Sequence, residues 1–210
     1  MIRVKICGVR TVGEARQAVA AGADAVGLNF YRPSPRYLSP ADAEAIVAAL
    51  PPFVTAVGLF VDAPVEWVRQ VAERCRLGAV QLHGGEPAAG LGRPVIRAVQ
   101  VDGEAALEGL DRLDGDAILL DGFAERLRGG SGRRFDWALV AEARRRAGGR
   151  PIILAGGLTP ETVAEAVRIA RPDAVDVASG VESAPGVKDP DKVARFVRAA
   201  KGALVGGASL

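Results

Sequence analysis

Residues 152–180 have the sequence IILAGGLTPETVAEAVRIARPDAVDVASG, whose pattern of apolar and polar residues indicates the fold. The segment begins with a short apolar run and a pair of glycines, continues into an Ala- and Glu-rich amphipathic stretch, and ends with a second apolar run and another glycine. Short apolar runs that alternate with amphipathic stretches are typical of parallel β-strands joined by helices. The segment therefore predicts a strand, a helix and a second, parallel strand.

The same alternation extends outward from this segment through the whole chain and occurs eight times. The predicted strands are residues 2–7, 25–30, 54–60, 79–83, 95–99, 117–121, 152–155 and 174–178. Eight such units in 210 residues are close to the lower size limit of a closed (β/α)8 barrel. An open, doubly wound sheet is the alternative, but no GxGxxG motif follows the first strand. We therefore predict a single (β/α)8 TIM barrel with a parallel core, formed as one domain by residues 1–210.

The composition is that of a globular protein and argues against several function classes. Hydrophobic residues make up 49% and charged residues 25% of the chain, unlike disordered or collagenous proteins. The net charge is +2, from 27 Lys and Arg against 25 Asp and Glu, and neither sign forms a long run. We therefore expect a small-molecule ligand and not nucleic acid. The longest apolar runs are too short to span a membrane.

Cysteine usage and the amino-terminal sequence bear on the cellular compartment. The two cysteines, Cys7 and Cys75, do not have the spacing of a metal site. The first residues, MIRVKICG, lack the long apolar core of a secretory signal peptide. We therefore expect a protein of the reducing cytoplasm that has no signal peptide and binds no metal.

Several predicted helices begin at recognisable capping residues. Thr11 and Glu14 have the spacing of a capping box. A cap residue stands before proline at three further places, which are Ser39-Pro40, Thr159-Pro160 and Asp189-Pro190. The predicted fourth helix, near residues 86–91, is short and glycine-rich. The small, apolar tail at residues 202–210 is expected to fray.

Side chains along a strand alternate between two faces, which determines what reaches the barrel interior. On the first strand Lys5 and Cys7 share one face, whereas the apolar residues between them must meet the helices. The same parity turns His83, Asp121 and Asp176 inward at the ends of the fourth, sixth and eighth strands. Because TIM-barrel active sites lie at the carboxyl ends of the strands, we predict that these five residues meet at the barrel mouth.

Each of these residues also has a purely structural interpretation. Buried charges are costly unless they are paired, and the eighth strand closes against the first, so Lys5 and Asp176 can form an interior ion pair. Cys7 alone can be a small buried apolar residue, and Asp121 alone can cap the following loop. Their shared position at strand ends is what favours a functional site.

Glycine placement gives a second signal. Gly156 and Gly157 follow the seventh strand, and Ser179 and Gly180 follow the eighth, and these are the two loops where barrels bind phosphate. Without a side chain, glycine lets a phosphate reach backbone N–H groups, and the N-terminus of a following helix adds positive charge. Tight turns alone could explain either loop, but the two together favour a phosphate site.

Two further segments are candidates for contact with a ligand. Residues 129–132, GGSG, follow the sixth strand and can form either a flexible lid or a solvent-exposed linker. Arg36 lies in the proline-stiffened loop PSPRY, residues 33–37. An arginine at this place can hold a carboxylate through two parallel hydrogen bonds, and the alternative is an ordinary surface arginine.

Seven short motifs follow one another along the chain. They are KICG at 5–8, SPRY at 34–37, VQLHG at 80–84, LLD at 119–121, GGSG at 129–132, FDW at 135–137, and the segment 176–189 that contains SGVESAPGVKD. Their order and spacing resemble those of the phosphoribosylanthranilate isomerase family from end to end. Each glycine tract is weak alone, but the combination of KICG with SGVExxPGxKD is specific.

The resemblance implies a reaction and its acid and base. The reaction is the Amadori rearrangement of N-(5-phosphoribosyl)anthranilate to 1-(2-carboxyphenylamino)-1-deoxyribulose 5-phosphate in tryptophan biosynthesis, without metal or organic cofactor. By the same resemblance, Asp121 protonates the furanose ring oxygen and Cys7, as a thiolate, removes the C2 proton. Asp121 must then be desolvated enough to hold a proton, whereas Cys7 must ionise below the ordinary thiol pKa, with Lys5 as one source of positive charge.

The resemblance also implies the contacts with the phosphosugar substrate. Arg36 would receive the anthranilate carboxylate, and His83 and Asp176 are weaker, additional contacts. The phosphate would be bound by the two glycine loops, through Gly156, Gly157, Ser179 and Gly180. The chain departs from the family pattern at Gly122, where a hydroxyl residue often follows the acid, and at residues 28–30, LNF, which replace a more apolar strand end.

Two other functions stay open at this point. Indole-glycerol-phosphate synthase also binds phosphate on the last two loops of a barrel, but it needs a lysine acid at the inner strand ends. Lys5 is the one lysine on the predicted strands, and it lies below Cys7. A non-catalytic sensor of phosphorylated ligands is the alternative from a different class, because a fold with phosphate loops does not prove turnover. The sequence also leaves monomer and homodimer open.

Overall fold

The computed structural model describes residues 1–122 and 136–204, and its centre is a closed barrel of eight parallel strands. The strands follow one another in chain order, and the last closes against the first. Their bounds are β1 Arg3–Cys7, β2 Ala25–Asn29, β3 Thr55–Phe60, β4 Ala79–Leu82, β5 Val95–Val101, β6 Ala117–Gly122, β7 Ile152–Ala155 and β8 Ala174–Val177. The predicted TIM barrel is confirmed, and each predicted strand lies within two residues of the observed bounds.

The described residues also form six α-helices that pack outside the barrel. They are α1 Val12–Ala20, α2 Pro40–Ala48, α3 Val65–Arg74, α4 Leu139–Arg146, α5 Val163–Ala170 and α6 Pro190–Gly202. Not one of these helices has both the length and the apolar character that a membrane span requires. Two short antiparallel strands that were not predicted, β9 Glu182–Ala184 and β10 Val187–Lys188, follow β8. They form a two-stranded sheet in the connection between β8 and α6.

The helix caps differ in how well they were predicted. Ser39 and Asp189 cap α2 and α6 as expected, but α5 begins at Val163 and not directly after Thr159, so that prediction is wrong. The capping box of α1 is half formed, because the side chain of Thr11 accepts from the N–H of Glu14 at 3.1 Å. The carboxylate of Glu14 does not complete the box, since it accepts from the backbone N–H groups of Arg10 at 2.7 Å and Lys188 at 2.9 Å. One of these lies on β10, so this carboxylate ties α1 to the segment after β8.

The predicted fourth helix, near residues 86–91, is wrong, because in the described residues the connection from β4 to β5 contains no helix. Arg97 of β5 points away from the barrel interior and takes the place of a helix on this side. Its guanidinium donates to the carbonyl oxygens of Gly84 at 2.9 Å and Glu86 at 2.7 Å. The connection from β5 to β6 also lacks an α-helix and contains two 3-10 turns, Glu104–Leu107 and Leu110–Arg112.

The sheet separates two apolar regions, and this confirms the predicted parity of the strands. Outside the barrel, Val4 and Ile6 of β1 belong to the large core that packs against the helices. Inside it, Leu119 and Ile153 belong to a small separate cluster. The alternate positions of β1 turn inward, and Lys5 there is 4% exposed.

Three predictions are not tested by the residues that the structure describes. The GGSG tract at 129–132 lies outside the described part of the chain. So do residues 205–210 of the tail that we expected to fray, whereas α6 itself ends at Gly202. That the whole chain forms one domain stays a prediction.

Candidate active site

The carboxyl ends of β6, β7 and β8 surround a cavity of about 300 Å³. Six of the nine predicted site residues line it, and these are Asp121, Gly156, Gly157, Asp176, Ser179 and Gly180. Cys7, Arg36 and His83 do not line this cavity. The structure therefore brings the predicted acid and the predicted phosphate loops together, and places the other three residues beside them.

Gly156 and Gly180, one in each glycine loop, lie where a side chain does not fit. Gly156 has a φ of +85°, and a Cβ built there would lie 2.2 Å from the carbonyl oxygen of Gly122 and 2.8 Å from Oδ1 of Asp121. A Cβ on Gly180 would lie 1.9 Å from the carbonyl oxygen of Leu158. The loop after β7 therefore packs directly against the carboxyl group of Asp121 and against the loop after β8.

We expected the N-terminus of a following helix to add positive charge at these loops. Ser179 begins a single 3-10 turn, Ser179–Val181, and α5 begins only at Val163, well after Gly157. In the described residues no α-helix begins directly at these glycines, and the short 3-10 turn at Ser179 is the helical segment next to them. An anion in this cavity would depend on the N–H groups of the loops themselves.

Replacing Gly156 by alanine tests how tightly this loop is packed. Gly90 has a similar φ of +81° but nothing within 4 Å of a built Cβ, so Gly90→Ala is the matched control. We expect the control to lower the free energy of unfolding by about 1–2 kcal/mol, the cost of a left-handed backbone. We expect Gly156→Ala to lower it by a further 1–3 kcal/mol, roughly the cost of overpacking, and to lower kcat/KM. If urea unfolding gives the same loss of unfolding free energy for Gly156→Ala and Gly90→Ala, the close packing around Gly156 is contradicted.

Lys5 and Asp176 form an ion pair inside the barrel, as the closure of the eighth strand against the first predicted. The two residues are paired in the register of β1 and β8, and the Lys5 Nζ to Asp176 Oδ1 distance is 2.9 Å. Burial alone lowers the pKa of Lys5, but the charges of Asp176 and Cys7 outweigh burial and raise it. Lys5 therefore stays protonated, and its charge acts on the other titratable groups of the site.

Asp121 is a carboxylic acid in an environment that disfavours its charge. Burial, and then the charge of Asp176, raise the pKa of Asp121 to about 6, while Lys5 opposes them. This agrees with the expectation that the side chain is desolvated enough to hold a proton. A carboxyl of this pKa can give up a proton near neutral pH.

Cys7 differs from what we expected. The side chain is buried, and burial raises the pKa of its thiol above the ordinary value, although Lys5 and Lys188 lower it. The expected net depression of the pKa is therefore wrong, because desolvation outweighs the two positive charges. The thiol fits beside β2 because residue 27 there is glycine, where a Cβ would lie 2.8 Å from Sγ of Cys7.

His83 follows directly after β4, beside the barrel interior. Its Nε2 lies 2.6 Å from Nε2 of Gln81, a buried side chain of β4. Burial, and then the charge of Lys5, lower the pKa of His83. The imidazole is therefore neutral at physiological pH and can exchange hydrogen bonds with a ligand without adding charge.

Arg36 pairs with Glu182, which in turn pairs with Lys188, and neither of these two residues was assigned a role from the sequence. Its Nε and Nη2 each donate at 2.7 Å to the carboxylate of Glu182 on β9, which also accepts from Nζ of Lys188 on β10 at 2.8 Å. Both residues are buried. They lie in the SGVESAPGVKD segment, where two charges in a short motif were the available signal.

The barrel and the residues at its carboxyl end are those of an enzyme that catalyses acid–base chemistry. It is a (β/α)8-barrel protein whose carboxyl-end cavity combines an acid of raised pKa, a nearby thiol and two glycine loops, which suits acid–base chemistry on a small ligand. Residues 4–199 match the family model of N-(5'-phosphoribosyl)anthranilate (PRA) isomerase. The chain belongs to the N-(5'-phosphoribosyl)anthranilate isomerase family, as its motifs predicted.

Known members of the family are similar to this chain over nearly its full length. The N-(5'-phosphoribosyl)anthranilate isomerase of Geotalea daltonii is 49% identical over 207 residues, which cover 97% of this chain and 99% of the relative. A crystal structure of phosphoribosyl anthranilate isomerase in complex with reduced 1-(o-carboxyphenylamino)-1-deoxyribulose 5-phosphate has a TM-score of 0.85 at 44% identity, over 96% of this chain and 100% of that one. A structure of monomers generated from the dimeric isomerase of Thermotoga maritima has a TM-score of 0.84 at 42% identity, with the same coverage.

Proposed function

We propose that this protein catalyses the Amadori rearrangement of N-(5-phosphoribosyl)anthranilate to 1-(2-carboxyphenylamino)-1-deoxyribulose 5-phosphate, a step of tryptophan biosynthesis. Membership of the isomerase family supports the reaction. The structural observation that carries it is that Asp121, with its pKa raised to about 6, lines the same cavity as the two glycine loops. The family match also favours this reaction over that of indole-glycerol-phosphate synthase.

Asp121 acts in the first step as the general acid. Its carboxyl group gives its proton to the furanose ring oxygen, the bond from C1 to that oxygen breaks, and the nitrogen lone pair forms the C=N bond of a Schiff base. Asp121 becomes a carboxylate in this step. Lys5, whose charge opposes the rise in the pKa of Asp121, stabilises that carboxylate.

Cys7 acts in the second step as the general base. Its thiolate takes the proton from C2, and the C–H electrons form a C1=C2 bond as the C=N electrons return to nitrogen. The resulting enolamine tautomerises to the aminoketone product. Lys5 and Lys188 both favour the thiolate, since their charges lower the pKa of Cys7 against the effect of burial.

We assign the substrate contacts to the remaining predicted site residues. The loop residues Gly156, Gly157, Ser179 and Gly180 bind the phosphate at one end. Arg36 binds the anthranilate carboxylate beside Cys7, whose charge is one of those that act on Arg36. His83 and Asp176 contact the opened sugar between these ends.

Replacing Arg36 by alanine tests the carboxylate contact. A bidentate contact distant from the reacting carbons binds ground state and transition state alike, so KM should rise while kcat changes little. The loss of a charge-assisted pair is worth about 1.5–3 kcal/mol, or about one to two decades in kcat/KM. A fall in kcat at unchanged KM, measured in steady-state kinetics, would assign Arg36 to proton transfer instead.

One assay tests the proposed reaction itself. Freshly made phosphoribosylanthranilate is fluorescent, and its fluorescence decay is followed with and without the protein. We expect the decay to accelerate in proportion to protein concentration and the carboxyphenylamino product to accumulate. Decay at the uncatalysed rate would contradict the proposal and favour the non-catalytic sensor of phosphorylated ligands.

We also propose the setting in which the protein acts. It works in the cytoplasm on a small phosphosugar, as a monomer or homodimer, and binds neither nucleic acid nor membrane. The similar isomerase described as dimeric supports testing for a homodimer. Sedimentation of the purified protein at several concentrations separates the two assemblies.

A further inference from the structure

The carboxylate of Glu182 is the centre of a buried charge cluster outside the cavity lining. Glu182 lies on β9, and its side chain is 4% exposed. Oε1 accepts from Nε of Arg36 at 2.7 Å and from Nζ of Lys188 at 2.8 Å, and Oε2 accepts from Nη2 of Arg36 at 2.7 Å. Burial alone would raise the pKa of Glu182, but the hydrogen bonds from Arg36 and Lys188 lower it overall. The cluster therefore contains two cations and one carboxylate.

The contact leaves one side of the Arg36 guanidinium available. A guanidinium has five N–H donors in a planar fork. Glu182 occupies the edge formed by Nε and Nη2, and the hydrogen bonds within the described residues do not involve Nη1. The second edge, formed by Nη1 and Nη2, can therefore receive another carboxylate while the first stays bound to Glu182.

Two further contacts fix the position of this fork. The Arg36 side chain lies across Gly8, the residue after Cys7, where a Cβ would come within 2.4 Å of its Cδ. Lys188 donates to the carbonyl oxygen of Ala178, directly after β8, at 3.0 Å. The carboxylate that holds Arg36 is thus itself anchored to the barrel.

The charge of the cluster also favours an anion. Arg36 and Lys188 are both cations, and Glu182 balances only one of them, so one positive charge is left in a partly buried place. An unpaired charge in such a place is costly, and an anionic ligand group that binds there removes the cost. The free edge of Arg36 is the donor surface that such a group can reach.

We infer that Glu182 is the residue that positions Arg36, so that the free guanidinium edge receives the aromatic carboxylate of the substrate. The inference rests on the proposed function, because it takes the anthranilate carboxylate as the group that Arg36 binds. Glu182 acts through Arg36 and does not touch the substrate. It therefore controls recognition of one substrate group and not the proton transfers.

Two ligands that differ only in the carboxylate provide the test. The first is reduced 1-(o-carboxyphenylamino)-1-deoxyribulose 5-phosphate, and the second is the corresponding phenylamino compound without the carboxyl group. Although Glu182→Gln adds positive charge to the cluster, we expect it to weaken binding of the first by about tenfold, because Arg36 loses a charge-assisted hydrogen bond that holds its fork in position. The Kd of the second should stay within about twofold. Glu161→Gln is the matched control, because Glu161 pairs with Arg195 on the exposed surface.

The same substitution in a protein that lacks the Arg36 side chain shows whether Glu182 acts through Arg36. In the Arg36→Ala variant, adding Glu182→Gln should not change the ratio of the two dissociation constants further. With Arg36 present, a ratio that Glu182→Gln leaves unchanged, or tighter binding of the carboxylate ligand, would contradict the inference and leave Glu182 a structural residue. If Glu182→Gln does not fold, Glu182→Asp carries the test, since its shorter side chain keeps the charge and withdraws from the edge of Arg36. The same loss of selectivity is expected there, and an unchanged ratio again contradicts the inference.

Measurements on the unaltered protein distinguish failure of the proposed function from failure of the inference about Glu182. If it converts phosphoribosylanthranilate but binds the two ligands equally, the proposed function stands and the inference fails. If it does not convert phosphoribosylanthranilate at all, the proposed function fails and the inference fails with it.

Discussion

Replacing Asp121 by asparagine is expected to lower kcat by at least about two decades. Asparagine keeps the size and hydrogen bonding of the side chain but has no proton to transfer, and general acid catalysis is typically worth about 10²–10⁴ in rate. KM should change little, because the glycine loops and Arg36 are left intact. Steady-state kinetics with phosphoribosylanthranilate measure both constants.

The matched control for this variant is Asp111→Asn, at an exposed aspartate on the second 3-10 turn between β5 and β6. It should leave both constants unchanged. Turnover by Asp121→Asn within about threefold of the unaltered protein would show that Asp121 is not the acid. Asp176 is then the next carboxylate to test, since it lines the same cavity.

The Cys7→Ser variant should change the pH dependence of kcat/KM. The proposed reactive form has a protonated Asp121 and a Cys7 thiolate, although the pKa of Asp121 is about 6 and burial raises that of Cys7. Between the two pKa values the protonated fraction of Asp121 falls as the thiolate fraction rises, so kcat/KM of the unaltered protein should be level. In Cys7→Ser only the protonated fraction of Asp121 varies, and kcat/KM should fall as the pH rises above about 6. A level profile of kcat/KM against pH in the variant would contradict a reactive form with protonated Asp121 and a Cys7 thiolate. Taking the ratio of the two profiles cancels ionisation of the substrate phosphate.

Loss of activity in Asp121→Asn should be accompanied by a gain in stability at alkaline pH. The folded pKa of Asp121, about 6, lies above its ordinary value of 3.8, so the folded state binds this proton more tightly than the unfolded state. Below about pH 4 the group is protonated in both states, and the penalty for its charge appears as the pH rises to 6 and above. At pH 8 removal of the charge should stabilise the fold by up to about 3 kcal/mol. Urea unfolding at pH 4 and pH 8 measures the difference, and the same effect at both would contradict the raised pKa.

Replacing Cys7 by serine is the second change with a large expected effect. A serine hydroxyl is far less acidic than a thiol and does not supply an anionic base at neutral pH, so kcat should fall by about two to four decades. The fold should survive, because serine is close to cysteine in size. Circular dichroism and steady-state kinetics measure the two properties.

Cys75→Ser is the control for the Cys7 variant. Cys75 is also buried, follows α3, and donates from Sγ to the carbonyl oxygen of Pro40 at 3.4 Å, away from the cavity. A serine there can keep the hydrogen bond, and activity should be preserved. Near-normal turnover by Cys7→Ser would remove Cys7 from the mechanism.

Local patterns were sufficient to predict the barrel and the inward side chains. The alternation of residues on β1 and β8, with closure of the barrel between them, was enough to place Lys5 against Asp176. The glycines after β7 and β8 were recognisable because only glycine fits where two backbones approach closely. The sequence predicted a helix between β4 and β5 where there is none. This connection is held by Arg97 of β5, and a contact with a later strand cannot be read from the connection's own residues.

The rest of the site depends on contacts between distant parts of the chain. Arg36 and Glu182 are 146 residues apart, and nothing near either residue indicates that they form a bidentate pair. The pKa of Cys7 was predicted with the wrong sign because neighbouring charges can be read from a strand but the degree of burial cannot. How much a group is desolvated is known only once the barrel has closed around it.

Asp121 and Cys7 are assigned to different steps, and deuterium at C2 of the substrate ribose distinguishes the two steps. The C2–H bond breaks only in the step assigned to Cys7. Cys7→Ser slows that step and should show a large primary isotope effect on kcat/KM, whereas Asp121→Asn makes ring opening limiting and should show an isotope effect close to unity. The reverse pattern, or the same isotope effect in both variants, would contradict the assignment.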